Sequence, residues 1–75
     1  MEIMDVVEEI LAKQGVMKKT LANRLNVSTS TINTRFARGN IRSDTIVKML
    51  RALDYKLVAI PANKKTPDGG YEIDG

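Results

Sequence analysis

The chain has 75 residues, with twelve Lys and Arg against nine Asp and Glu for a formal charge of +3, and it contains neither Cys nor His. A chain this short forms one small domain that buries only about 60% of the surface its unfolded form exposes, so stability is marginal and help from a second subunit is expected. The missing Cys and His exclude disulfide staples, thiolate and imidazole metal sites and an imidazole general base, so neither a metal nor a cofactor is expected.

The charge is unevenly placed. Residues 1–12 carry Glu2, Asp5, Glu8 and Glu9 and no base, whereas residues 13–51 carry Lys13, Lys18, Lys19, Arg24, Arg35, Arg38, Arg42, Lys48 and Arg51 against Asp44 alone. A basic middle between acidic or near-neutral flanks suits a surface that faces phosphates, because each Lys or Arg placed there releases counterions; a merely solvated basic surface is the plain alternative. The N-terminus has no basic leader region, and no apolar run approaches the roughly 18 residues of a membrane span, so a cytoplasmic protein with no membrane contact is the expectation.

In chain order, Ile3, Val7, Ile10 and Leu11 recur at helical spacing and predict an amphipathic helix over about Glu2 to Gln14, ended by Gly15. Lys18 to Leu25 predicts a two-turn helix with Leu21, Ala22 and Leu25 inward. Asn26 then falls where the chain must turn, in a left-handed conformation that Asn tolerates, and Ser28 is placed to cap the next helix. That third helix spans Thr29 to about Arg38, with Ile32 and Phe36 as its inner edge and Gly39 as its stop. Ser43 is expected to cap a fourth helix through Leu53, with Ile46, Met49, Leu50 and Leu53 inward and Asp54 leading out.

From Tyr55 the pattern changes to period two, predicting a strand over Tyr55 to Ile60 with apolar residues on both faces, which Pro61 interrupts. Pro67-Asp68-Gly69-Gly70 is a turn signal ahead of the alternating Tyr71-Glu72-Ile73, so either a small hairpin or a frayed tail follows. The fold class is mainly α: a four-helix unit over residues 1–54, then a strand or short hairpin with a tail over 55–75 as the expected dimerisation element.

Two short helices joined by a three- to four-residue turn, the second polar on its exposed side, form the unit that sets a recognition helix in the DNA major groove. Here it runs from Lys18 to Arg38. At about 100° per residue, Ser30, Thr34, Ala37 and Arg38 lie opposite the midpoint of Ile32 and Phe36, and Thr29 and Asn33 flank that face. Thr29, Ser30, Asn33, Thr34 and Arg38 are the candidate base-contacting residues: Asn can pair with adenine, and Thr and Ala methyls can pack on thymine. So many weak helix formers on an exposed face is locally inconsistent unless something uses that face. Lys18, Lys19, Arg35, Asn40 and Arg42 are the candidate phosphate contacts, which position without reading sequence. Arg35 could instead pair with Glu8 or Glu9.

Lys18-Lys19-Thr20-Leu21-Ala22-Asn23-Arg24-Leu25-Asn26-Val27-Ser28, with Thr31-Ile32 and the later Leu50-Arg51-Ala52-Leu53-Asp54-Tyr55, resembles the lambda-repressor/Cro-like, or XRE-type, helix-turn-helix family over residues 3–60. Three departures stand out: Asn26 replaces the usual turn glycine, polar Arg35 falls where an apolar residue is usual, and Gly39 comes one residue late, so the third helix is expected to be longer or rotated. Many members carry a fifth helix, whereas this chain offers a strand, as the small Cro-like and antitoxin-like branches do.

The resemblance implies a phage or bacterial transcription regulator, a repressor, reading a palindromic double-stranded operator as a homodimer, with Tyr55, Leu57, Val58 and Ile60 at the dimer contact. An unpaired apolar edge in so small a protein is an aggregation hazard unless another chain covers it. A toxin-neutralising module, with acidic helix 1 and the Pro67–Gly70 tail binding a protein partner, is the alternative. Catalysis is not expected, since no nucleophile–base pair or metal set converges and Asp44 and Asp54 suit helix ends. RNA binding is disfavoured by only three aromatics, Phe36, Tyr55 and Tyr71.

Overall fold

Apolar residues at helical spacing and left-handed residues at the helix ends produce the four expected helices. The computed structural model describes residues 1–39 and 41–74, with α1 over Ile3–Gln14, α2 over Lys18–Arg24, α3 over Thr29–Arg38 and α4 over Ser43–Ala52. No helix among the described residues is long and apolar enough to cross a membrane.

Three of the helix ends share one backbone solution, in which a left-handed residue lets the next amide reach back five residues to an orphan carbonyl. Gly15 at φ +67° ends α1, and the Val16 amide donates to the Leu11 carbonyl at 2.9 Å. Asn26 at φ +56° does the same after α2, with the Val27 amide on the Ala22 carbonyl at 3.0 Å. Asp54 at φ +62° closes α4, with the Tyr55 amide on the Leu50 carbonyl at 2.8 Å. α3 ends more simply at Gly39, whose amide donates to the Arg35 carbonyl at 3.2 Å.

Ser28 caps α3 as expected, its Oγ accepting from the Thr31 amide at 3.2 Å. Ser43 does not cap α4: it is the first helical residue, and Arg42 holds the N-cap position without a side-chain bond. Asp44 Oδ1 instead accepts from the Thr45 amide at 3.0 Å, and its charge complements the positive end of the helix.

The core is a single cluster in which Met4, Val6, Val7, Ile10 and Leu11 of α1 meet Leu21 and Ala22 of α2, Ile32 of α3, and Met49, Leu50 and Leu53 of the α4 end. α2 packs on α3 and also on α4. Ile3 and Ile46, expected inward, are only half-buried and edge the cluster, whereas Met4 and Val6 join it because α1 is covered over a wider arc than one stripe. Two long side chains tie α4 to the rest: Gln14 Nε2 donates to the Leu53 carbonyl at 2.8 Å and Arg24 Nη1 to the Ala52 carbonyl at 2.9 Å. They satisfy carbonyls that a helix end leaves without intrahelical partners.

The tail departs from expectation. Among the described residues there is no strand, so the strand over 55–60 and the hairpin are corrected to an irregular strap. A strand exists only through ladder bonds to a second strand, and this segment lies alongside none. Tyr55 stays half-buried, with its ring 6.3 Å from that of Tyr71. Leu57, Val58 and Ile60 are 44%, 58% and 42% exposed. The turn at 67–70 forms as predicted, the Gly70 amide donating to the Pro67 carbonyl at 2.9 Å.

Beyond that turn the chain returns to its start. The Asp74 amide donates to the Met1 carbonyl at 2.8 Å, and the Met1 amine donates to the Glu72 carbonyl and to Asp74 Oδ2. The hydrogen bond from the amine to Asp74 raises the amine pKa and lowers that of the carboxyl. The strap leaves an open groove of about 570 Å³ whose floor includes Val6, Ile10 and Leu50. The radius of gyration is 12.5 Å, against about 11 Å for a compact domain of this length.

The left-handed positions give a paired test. Asn26→Gly is expected to raise stability by about 0.5–1 kcal/mol by removing the side-chain cost of positive φ, a gain of several degrees in melting temperature for a domain this size. Gly15→Ala, at φ +67°, is expected to lower stability by at least as much, both read from thermal unfolding by circular dichroism.

Candidate nucleic-acid interface

The polar face of α3 is built on one inward anchor. Ile32 is completely buried, Phe36 one turn later is half-buried, and Thr29, Ser30, Asn33, Thr34, Ala37 and Arg38 are all exposed. The wheel drawn from the sequence is therefore reproduced: all five candidate base-contacting residues stand on the open side of a helix whose rotation is set by Ile32. The α2–α3 connection is Leu25–Ser28, and the left-handed Asn26 performs the turn that a glycine usually makes.

At the N-terminal end of α3 the hydroxyls form a local network. Ser28 Oγ lies 2.8 Å from Thr31 Oγ1 and 3.1 Å from Ser30 Oγ, while Thr34 Oγ1 donates to the Ser30 carbonyl at 2.9 Å. Short side chains held this way leave a low surface, which permits close approach to base edges.

The cations divide into free and engaged. Lys19 and Arg38 are exposed. Lys18 is half-buried: its Nζ lies 3.2 Å from Glu8 Oε1 and 4.4 Å from the centre of the Phe36 ring. This array joins α1, α2 and α3, so Glu8 is taken by Lys18 rather than by Arg35. Such a cation on an aromatic face contributes about 0.5–1 kcal/mol where solvent reaches it. Arg42 Nε pairs with Asp44 Oδ1 at 3.3 Å with both side chains mostly exposed, a pair weak enough for a phosphate to displace. Arg35 is half-buried and shares a shallow cleft with Leu25, Val27, Thr45 and Lys48. Its stem occupies the place where the helix-turn-helix pattern has an apolar residue. Asn40 lies outside the described residues.

Sequence reasoning missed Gln14 and Arg24 as the caps of α4, and it missed the Lys18–Phe36 contact, since each joins residues distant in the chain. The Thr34 back-bond had a signal in the spacing of Ser30 and Thr34, one helical turn apart. Among the described residues no three potential metal ligands cluster.

A helix-turn-helix with an exposed, polar second helix and flanking cations is what the fold presents, and the family model of the bacteriophage CI repressor helix-turn-helix domain matches residues 5–67. No curated protein and no solved structure matches the chain. With most of its length covered by that match, the chain is a DNA-binding transcriptional regulator and belongs to the phage CI repressor helix-turn-helix family.

Proposed function

We propose that the chain is a repressor that binds a palindromic double-stranded operator as a homodimer, with α3 inserted in the major groove. The observation that carries this reading is the division of α3 into one buried side, Ile32 with Phe36, and an exposed side of Thr29, Ser30, Asn33, Thr34 and Arg38. These five read bases, whereas Lys18, Lys19, Arg35 and Arg42 contact phosphates. The family's description as a repressor domain supports repression over activation.

Exposed Leu57, Val58 and Ile60, beside half-buried Tyr55, support the dimer. They form an apolar surface on a chain too small to spare it, and a symmetric copy covers the same surface on both subunits. Two α3 helices would then meet half-sites about 34 Å apart.

Two experiments test the reading. Ser30→Arg or Thr34→Arg is expected to change sequence preference, whereas Lys19→Ala weakens binding to all duplexes and lowers the salt slope by about one. Lys19 is the cleaner choice over Lys18, which also holds α1 to α3. Equal losses on operator and random DNA for all three variants would contradict the roles. Second, Val58→Glu is expected to shift sedimentation from dimer to monomer and to weaken operator binding with the helical content unchanged. A wild-type chain that sediments as a monomer on its operator would remove the dimer from the reading.

A further inference from the structure

The hydrogen bond within α3 decides what its outer face can say to a base. Thr34 is exposed, yet its hydroxyl proton goes to the Ser30 carbonyl at 2.9 Å. The hydroxyl proton is thereby committed within the helix, and what the exposed side chain has left to offer is a methyl group and an oxygen able only to accept. Ser30 is drawn toward the cap, its Oγ 3.1 Å from Ser28 Oγ. Ala37 adds a second exposed methyl, and Asn33 an exposed carboxamide, which carries a donor beside an acceptor.

Between Ser30 and Ala37 the one cation is Arg35, half-buried in the cleft against α4. Arg38 is exposed but is the last residue of α3, a full turn beyond Thr34 and about 6 Å further along the helix axis.

Guanine presents two acceptors in the major groove and calls for a paired donor such as Arg or Lys; adenine presents an acceptor beside a donor, which an amide matches; thymine presents an acceptor and a methyl. From Ser30 to Ala37 the exposed side chains of α3 hold the amide and the methyls and lack the paired donor. Resting on the reading that α3 enters the major groove, we propose that this protein selects half-sites with an A·T core. Asn33 pairs with an adenine, the Thr34 methyl packs on a thymine methyl, and guanine is selected only at the edge beneath Arg38.

The test is selection of bound sequences from a random duplex pool by the whole chain, followed by titration of the selected site with single thymines replaced by uracil, which lacks the methyl. The expected result is an A·T core with any guanine at one edge. One uracil is expected to weaken wild-type binding about fourfold and to leave Thr34→Ser unaffected, because Ser keeps the helix bond and loses the methyl. Asn33→Arg is expected to change the preferred base at one position from adenine to guanine, by about tenfold or more.

A selected core of G·C pairs, or a uracil series without effect on wild type, overturns the base assignment while leaving sequence-specific binding intact. Retention of the pool with salt sensitivity but no enriched sequence overturns both the assignment and the reading beneath it. The uracil series uses unmodified protein, so a variant that fails to fold does not blunt the test.

Discussion

The position of the DNA-facing helix depends on the burial of Ile32. α3 is made of Thr, Ser, Asn and Arg around that side chain, and it is the helix's one fully buried residue. Residues of these types favour a helix less than Ala does, by up to about 0.7 kcal/mol each, so α3 is held helical by its cap and by the core and not by its own composition. Removing the anchor by Ile32→Ala would cost about 2–5 kcal/mol, comparable with the roughly 3–5 kcal/mol that a core of this size supplies. The open face is thus free to be polar because one contact carries the helix.

That contact holds α3 in place only because the neighbouring helices are themselves fixed at their ends. Asn26 sets the angle between α2 and α3 by adopting a conformation that favours glycine, and the Val27 amide closes back on α2. α4 is fixed through carbonyls bonded by Gln14 and Arg24, so one polar side chain from α1 and one from α2 act on the same helix end. Glu8, Lys18 and Phe36 add a link from α1 to α3 on the surface. A small core is supplemented here by bonds at helix ends, where unsatisfied backbone groups make each bond count.

The strap after Asp54 obeys a different constraint. Its apolar residues alternate, but the described residues provide no neighbouring strand, so the segment runs past the body with Leu57, Val58 and Ile60 open to solvent. The turn at 67–70 and the contact of Asp74 with Met1 close the loop around a groove and do not fill it. The departure from the expected strand therefore follows from pairing, which a one-dimensional pattern cannot supply.

The sequence by itself determined the four helices, the left-handed turn at Asn26, the Ser28 cap and the polar face of α3. These depend on spacing, local sterics and caps within a few residues. The tertiary structure decided which neighbours those residues meet: that Lys18 and not Arg35 takes Glu8, that Arg35 lies in a cleft beside Lys48, and that residues 55–60 form no strand. The physical reason is range: periodicity records which side of an element is apolar, whereas a contact between residues far apart in the chain exists only after the elements have packed.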